Sequence, residues 1–269
     1  MEPQTSQAHY RELFGRPHHG LDFWLAEQPD VLERYRAFGK TTAHVFMPGQ
    51  PEEAWRLRSF SLYTFYALSG YAAGIRYLVH LHQQIGLTRD EILEGIGIAF
   101  IHGGPRGMET VAEALADYQW VALPRRARFP ASWGVDPAAF RSGIDYASPA
   151  LTTEELRKIE AWYEHWLGEV PRYVRLLASL RPELLKAHRT RYENLIRVLP
   201  KQVLPMTLLA NDVLRGFEAG IRENVLLSRG FGVTKEDVLD EISAALIFGG
   251  MEAVEAVDRA VGDVLDKWT

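Results

Sequence analysis

Hydrophobic residues recur every three or four positions along most of the chain, which is the spacing of an amphipathic helix. Residues 22–38 show this period, and residues 52–69 predict one long apolar helix. No segment combines alternating hydrophobic and polar positions with β-branched enrichment, which is the pattern of a strand. The pattern therefore predicts an all-α protein.

One part of this pattern is present twice. Residues 70–104 and 216–250 align without a gap at an offset of 146, and 15 of the 35 aligned positions are identical, where chance would give about two or three. A repeat of this length is a domain and not a solenoid unit. We expect a first helical domain at residues 1–121, a connection containing Pro and Gly at 122–150, and a second helical domain at 151–269.

The repeat carries helix-boundary signals at matching positions. In the first copy, Gly86 predicts a helix stop in the left-handed conformation, and Thr88 with Glu91 predicts a capping box at the next helix start. The second copy has Thr234 and Asp237 at the places of Thr88 and Glu91. In both copies this helix is expected to end at a Gly-Gly pair, after which a third helix follows.

Three short motifs carry a resemblance to a known family. Gly232 opens Gly-Val-Thr-Lys-Glu-Asp-Val, Arg58 opens Arg-Ser-Phe, and Gly103 opens Gly-Gly-Pro. These motifs resemble those of the carboxymuconolactone decarboxylase and alkylhydroperoxidase D superfamily, over about residues 52–115 and 198–262. The resemblance implies two tandem copies of an alkylhydroperoxidase D-like (AhpD-like) helical domain. It also implies a homotrimer of tandem chains that reproduces the family's hexamer.

The chain departs from that family where the family's chemistry lies. Peroxidase members have Cys-x-x-Cys-x-x-x-His, and decarboxylase members have Glu and His at the last two of these positions. The corresponding residues here are Tyr71, Gly74 and Leu78 in the first copy, and Phe217, Gly220 and Asn224 in the second. The sequence contains no cysteine, which excludes thiol-based peroxide reduction by that route.

One histidine lies near the two positions, Gly74 and Leu78, at which decarboxylase members have Glu and His. At about 100° per residue, the inward face of this helix comprises Tyr71, Ile75, Leu78, His82 and Ile85. His82 lies one turn beyond the family's histidine position, and an imidazole titrates near neutral pH, so we predict that His82 is a general acid/base. The alternative is a core histidine that is hydrogen-bonded to a neighbour.

Further candidate site residues accompany His82. His102 falls in the last turn of its helix, either as a second catalytic histidine or as a cation at the helix end. Arg58 or the hydroxyl of Tyr71 would hold a carboxylate or an oxyanion. The substrate-binding candidates are Tyr63, Tyr66 and Leu78 in the first half, and Glu218 and Asn224 in the second.

The two halves differ in their polar residues. The first half has tyrosines and histidines, whereas the second has a more acidic set, comprising Asp212, Glu218, Asn224 and Glu252. One composite pocket and one active half beside a scaffold half both fit this difference. Arg76 and Arg222 are identical in the two copies, and we interpret them as residues of structural ion pairs.

Composition limits the possible partners. A net charge of −5 over 269 residues gives no electrostatic case for binding nucleic acid or an anionic membrane. No apolar run approaches the ~20 residues that span a bilayer. Without cysteine, and with His80 and His82 on different sides of a helix, no metal site is expected. We expect a cytoplasmic protein that uses no cofactor.

The functional prediction is a cofactor-independent lyase, decarboxylase-like, or an isomerase. It would act on a small organic acid, lactone or aromatic compound by general acid/base catalysis. The alternative is a catalytically silent protein of the same fold that binds a small molecule or serves assembly. In either case the expected partners are a small molecule and further copies of the chain.

Overall fold

The computed structural model describes residues 23–24, 26–31, 34, 57 and 59–268, except the side chains of residues 100–102, 247 and 248. This part of the chain is all-α, which confirms the predicted class. The helices are α1 (Ser61–Ser69), α2 (Ala72–Gln84), α3 (Arg89–Leu115), α4 (Thr153–Leu167), α5 (Arg172–Leu180), α6 (Pro182–Tyr192), α7 (Val203–Arg215), α8 (Glu218–Gly230) and α9 (Lys235–Asp266). None of the helices in the described ranges has the length and apolarity needed to cross a membrane.

Two units of three helices share their boundaries at the offset of 146. Helices α2 and α8 match at both ends, α3 and α9 match at their starts, and α1 and α7 match at their ends. The helices of each unit pack against one another, and α1 of the first unit contacts α7 of the second. One cluster of buried hydrophobic residues runs through both units.

The helix starts in these units follow from capping chemistry. The Thr88 hydroxyl accepts from the Glu91 N–H at 3.2 Å, and the Glu91 carboxylate accepts from the Thr88 N–H at 2.8 Å. The Thr234 hydroxyl accepts from the Asp237 N–H at 3.1 Å. Gly86 has a φ of 84°, as its predicted left-handed role requires. All of these predicted signals are confirmed.

The predicted break at each Gly-Gly pair is confirmed, because the helical backbone is interrupted there. Gly104 has φ 56° and ψ −160°, and Gly250 has φ 61° and ψ −158°. A positive φ with an extended ψ is accessible essentially only to glycine. Because helical backbone resumes directly afterwards, the predicted third helix of each copy is the second segment of α3 or α9.

Helix α1 is shorter than the hydrophobic pattern predicts. A helix over residues 52–69 was expected, but α1 begins at Ser61, and Leu57 and Ser59 are not helical. The Phe60 N–H donates to the Thr207 hydroxyl on α7 at 3.0 Å. In a helix that N–H would bond within its own segment, so a contact between the two units overrides the local pattern.

Two carboxylates join the units. The Glu94 side chain on α3 accepts hydrogen bonds of 2.8–3.1 Å from the backbone N–H groups of residues 197–199. The Ser59 hydroxyl donates to Glu241 on α9 at 2.9 Å. The first set holds the segment before α7 on α3, and the second bond holds the segment before α1 on α9.

The middle of the chain brings further side chains onto the second unit. Residues 122–150 contain only a short 3-10 helix, Pro137–Phe140. A capping box between Thr152 and Glu155 then starts α4, and α4 packs against α8. Helices α5 and α6 pack against each other. Tyr173 on α5 donates to Glu223 on α8, and Trp166 on α4 lies against Gly230 at the end of α8.

Arg76 and Arg222 have the same surroundings in the two units. Arg76 lies 2.6 Å from Asp117, and Arg222 lies 3.0 Å from Asp263. Each arginine also donates to the backbone carbonyl three residues before that aspartate. The structure confirms their interpretation as structural ion pairs.

Candidate functional site

Helix α2 turns most of the predicted inward face into the core, but not Tyr71. Ile75, Leu78, His82 and Ile85 are buried, whereas Tyr71 is 36% exposed. Tyr71 is the N-cap residue of α2, and its ring packs edge-on against Tyr66 at a centroid distance of 5.2 Å. The prediction that Tyr71 lies on the inward face of this helix is wrong, because the helix begins one residue after it.

His82 and Tyr63 form a buried pair in the first unit. The Tyr63 hydroxyl lies 2.8 Å from His82 Nδ1, and the Phe60 ring packs edge-on against the imidazole at 5.1 Å. His82 is 6% exposed, and burial lowers its pKa to about 3, so the imidazole is neutral near pH 7. This geometry matches the hydrogen-bonded core histidine, and the acid/base role of His82 stays a prediction.

An open groove lies where the two units meet. It has a volume of about 610 Å³ and is lined by Phe65, Tyr66, Leu68, Ser69, Gly70, Tyr71 and Leu214. Two of the predicted site residues, Tyr66 and Tyr71, therefore share one surface. His82, Tyr63 and Leu78 lie in the core and do not line this groove.

The other predicted residues are dispersed. Arg58 lies outside the described residues, as does the side chain of His102, whose backbone belongs to α3. Glu218 is exposed at the start of α8 and lies 2.6 Å from Arg259, so its carboxylate has a surface ion pair. Asn224 is buried inside the second unit.

In the second unit, a carboxylate from a neighbouring helix fills the space over a glycine. Asp212 on α7 packs against Gly220 on α8, so that a Cβ on Gly220 would overlap Asp212 Oδ2. The same oxygen accepts a hydrogen bond of 2.9 Å from the Asn224 amide.

The first unit fills the equivalent space with aromatic rings. A Cβ on Gly74 would overlap the rings of Tyr71 and Tyr66. At the offset of 146, Tyr66 aligns with Asp212 and Leu78 with Asn224. The two units therefore share a backbone arrangement at this point, but only the second places a carboxylate and an amide there.

Asp212 titrates near neutral pH. Burial raises its pKa to about 7, and the negative charge of Glu223 contributes to the rise, whereas the hydrogen bond from Asn224 opposes it. Asp212 is 3% exposed. A group that gains and loses a proton near neutrality, away from bulk water, is suited to general acid/base chemistry.

A second carboxyl group lies on α8 beside this one. The Tyr173 hydroxyl donates to Glu223 Oε1 at 3.3 Å, and the Tyr163 hydroxyl lies 2.6 Å from that of Tyr173. Burial raises the pKa of Glu223 to about 7, against the opposing charge of Arg189. The second unit therefore has two carboxyl groups that titrate in the same range.

The charge of Arg189 is already balanced by another residue. Its Nε and one terminal nitrogen donate to Glu193 at 3.1 and 3.0 Å, and its guanidinium lies 4.3 Å from the centre of the Trp162 ring. Both Arg189 and Glu193 are buried. The Arg189 guanidinium thus pairs with Glu193, lies over the rings of Tyr163 and Tyr192, and forms no ion pair with Glu223.

Two buried hydroxyl groups in the second half of the chain lack hydrogen-bond partners among the described atoms. They are the hydroxyls of Tyr192 and Ser228. Buried hydroxyls are normally bonded, so each can take a partner that is not part of the chain.

Glu223, Tyr192 and Ser228 were not among the site residues predicted from the sequence. The signal for Glu223 was present, because at the offset of 146 it aligns with Tyr77, an aromatic-to-acid change on a helix with many buried positions. Tyr192 lies outside the 35-residue repeat.

No protein-family model, curated protein or solved structure matches the chain. Within the described ranges, no group of three or more His, Asp or Glu residues is placed to hold a metal ion.

Proposed function

We propose that the second unit houses a cofactor-independent proton-transfer site, of the lyase or isomerase type, with Asp212 as its general acid/base. The supporting observation is the position of Asp212. Its carboxylate fills the space over Gly220 and bonds to Asn224, the two positions at which the resembled decarboxylases have their Glu and His. Asp212 on the neighbouring helix α7 would thus replace the glutamate that is absent at Gly220.

The chemistry that this geometry favours is proton abstraction next to a carbonyl group. Ionised Asp212 takes a proton from the carbon beside the carbonyl, and the electron pair moves onto the carbonyl oxygen as an enolate. Return of the proton to a different carbon completes an isomerisation. Loss of a leaving group with its electron pair from the adjacent carbon completes an elimination.

Two neighbours of Asp212 have supporting roles. The Asn224 amide orients the carboxylate by its 2.9 Å hydrogen bond. Ser228 lies one turn along α8 from Asn224, and its unpartnered hydroxyl is available to donate to the enolate oxygen. Because Asp212 is nearly inaccessible, a substrate reaches it only when the surrounding packing opens.

A second candidate function is the binding of an apolar or aromatic small molecule in the groove between the units. Its lining by Phe65, Tyr66, Leu68, Tyr71 and Leu214 suits such a ligand. In this case the chain would be a binding protein without turnover. The family assignment, the trimer and the location in the cell remain proposals carried by the sequence resemblance.

Hydrogen–deuterium exchange tests the catalytic proposal without knowledge of the natural substrate. A panel of small ketones, lactones and aryl ketones is incubated with the protein in D₂O, and exchange at the carbon beside the carbonyl is followed by proton NMR. We expect catalysed exchange in at least one compound, with a rate that rises between pH 6 and 8 as Asp212 ionises. Binding in the groove without exchange in any compound would instead support the second function.

A further inference from the structure

An open pocket of the second unit lies where the end of α4, helix α8 and the end of α9 meet. Its volume is about 310 Å³, near the lower end of the range for small-molecule sites, which is roughly 300–1,000 Å³. Its apolar lining includes Leu226 and Val264, which are each 6% exposed. Neither Asp212 nor Glu223 lines it, so this pocket is separate from the proposed proton-transfer site.

The charged residues of this pocket are three cations and two acids, namely Arg222, Arg229, Lys267, Glu169 and Asp263. Arg222 pairs with both acids, at 3.0 Å from Asp263 and 3.5 Å from Glu169. The charge of Lys267 also acts on Asp263. Arg229 has no side-chain hydrogen bond or ion pair among the described residues. Its positive charge is therefore the one that no acid of the pocket neutralises.

In the first unit a tyrosine occupies the equivalent position. The residue after Asp117 is Tyr118, and the centre of its ring lies 5.6 Å from the Arg76 guanidinium. The Tyr118 hydroxyl donates to Gln83 Oε1 at 2.7 Å, and Gln83 Nε2 donates to the backbone carbonyl of Val121 at 3.0 Å. An aromatic ring thus covers the arginine, and its polar end bonds to a residue two turns further along α2.

The second unit differs at all three residues of that ring contact. At the offset of 146 it has Val264 for Tyr118, Arg229 for Gln83 and Lys267 for Val121. The arginine keeps its aspartate and its backbone carbonyl in both units, so the register holds up to this point. Among the described residues, no aromatic ring lies over Arg222. The change from Tyr to Val leaves space for a ring beside Arg222, and the change from Gln to Arg provides a positive charge for its polar end.

The surroundings limit the charge of a ligand in this pocket. Two acids already line it, and the C-terminal ends of α4 and α8 border it at Gly168 and Arg229. Helix C-termini carry partial negative charge, so a dianion such as phosphate is opposed, whereas one negative charge matches the one cation that is not neutralised. A carboxylate accepts two parallel hydrogen bonds from a guanidinium, and guanidinium planes stack on aromatic rings. Arg229 and Arg222 together therefore favour an aromatic carboxylate.

We infer that this pocket binds a small aromatic carboxylate, with the ring over Arg222 and the carboxylate on Arg229. The ligand takes the place that the Tyr118 side chain has in the first unit. Val264 and Leu226 contact the edge of the ring, and Lys267 adds a second cation at the pocket. This binding site goes beyond the proposed function and does not depend on it, because the residues of the proton-transfer site do not line the pocket.

Benzoate is the probe, because it carries one negative charge directly on an aromatic ring, and its binding to the full chain is measured by calorimetry at pH 7. Benzamide has the same ring but no charge, so it should bind at least about tenfold more weakly. Cyclohexanecarboxylate has the charge but no aromatic face, so its affinity should be about two- to fivefold lower. Inorganic phosphate should also bind more weakly than benzoate. An affinity for any of these three compounds that equals or exceeds the affinity for benzoate would overturn the inference.

Variants locate the site, with circular dichroism as the check that each is folded. Arg229→Gln gives the pocket the residue of the first unit and should weaken benzoate binding at least about tenfold. Arg191→Gln is the matched control, because Arg191 is also an exposed arginine in the last turn of its helix, and binding should be unchanged. Val264→Tyr restores the ring of the first unit and should also weaken binding at least about tenfold by filling the pocket. Benzoate binding that survives both Arg229→Gln and Val264→Tyr, or no saturable binding to the unaltered chain, would overturn the inference.

Discussion

The side-chain amide of Asn224 donates to Asp212 Oδ2 at 2.9 Å, across the interface between α7 and α8. The equivalent positions in the first unit are Leu78 and Tyr66, which cannot form such a bond. This contact therefore exists in only one of two units that share their helix boundaries. We propose that the functional difference between the halves is centred on it.

Gly220→Ala tests whether Asp212 needs the space over the glycine. The new methyl group would overlap the Asp212 carboxylate and the Phe217 ring, so these side chains must shift, and the hydrogen bond between Asp212 and Asn224 is disturbed. We expect a loss of ~1–3 kcal/mol in the free energy of unfolding and a large loss of deuterium exchange. Denaturant titration and the exchange assay measure the two effects.

Gly74→Ala is the matched control for Gly220→Ala. Its methyl group would overlap the rings of Tyr66 and Tyr71 in the first unit, so a loss of stability of similar size is expected. Exchange should persist in this variant. If both alanine variants lose exchange equally, the assignment of chemistry to the second unit is wrong.

The pKa of Asp212 predicts how stability changes with pH. Its folded pKa of about 7 exceeds the ordinary value of 3.8, so the folded state binds more protons than the unfolded state between these limits. This contribution to stability is complete below about pH 4 and is lost as the pH rises through 7. Asp212→Asn should remove it, so that the variant loses less stability than the unaltered chain between pH 4 and 8. A parallel pH profile for the two proteins would contradict the raised pKa.

His82 should have the opposite effect. Its folded pKa of about 3 lies below the ordinary 6.5, so the unfolded state binds more protons between these values. Stability from this residue is therefore complete above pH 6.5 and falls as the pH drops toward 3. His82→Gln should make unfolding less sensitive to acid over this window, as followed by circular dichroism. If the acid unfolding curve of the variant equals that of the unaltered chain, His82 is not buried in its neutral form.

The equivalent arginines predict equal and small effects. Arg76 and Arg222 form partly exposed ion pairs, which contribute about 0–1 kcal/mol. Arg76→Met and Arg222→Met should therefore each lower the free energy of unfolding by a similar small amount and leave deuterium exchange intact. A large loss of exchange in either variant would give that arginine a functional role beyond its ion pair.

Local sequence signals predicted the fold better than the site. Thr88, Gly86 and Thr234 act through hydrogen bonds or backbone angles within a few residues, so their roles can be read from the sequence. The start of α1 could not be, because Phe60 bonds to Thr207 in the other unit. The breaks at the Gly-Gly pairs were also predicted, and a further helical segment follows each of them as expected.

The site required three-dimensional contacts. The acidic character of the second half was visible in Asp212 and Asn224, but their hydrogen bond depends on how α7 packs on α8. Comparison of the two copies also contained the change from Tyr77 to Glu223. Tyr192 had no such signal, since its environment arises from helices outside the repeat.

The most direct test of the central claim compares deuterium exchange rates of Asp212→Asn and His82→Ala at pH 7, on the compound that the unaltered chain exchanges fastest. We predict a loss of at least about a hundredfold for Asp212→Asn, the usual contribution of a general acid/base, and less than about tenfold for His82→Ala. His80→Ala, on another side of α2, serves as the background variant. The reverse order, with exchange retained by Asp212→Asn and lost in His82→Ala, would place the active site in the first unit and contradict the account.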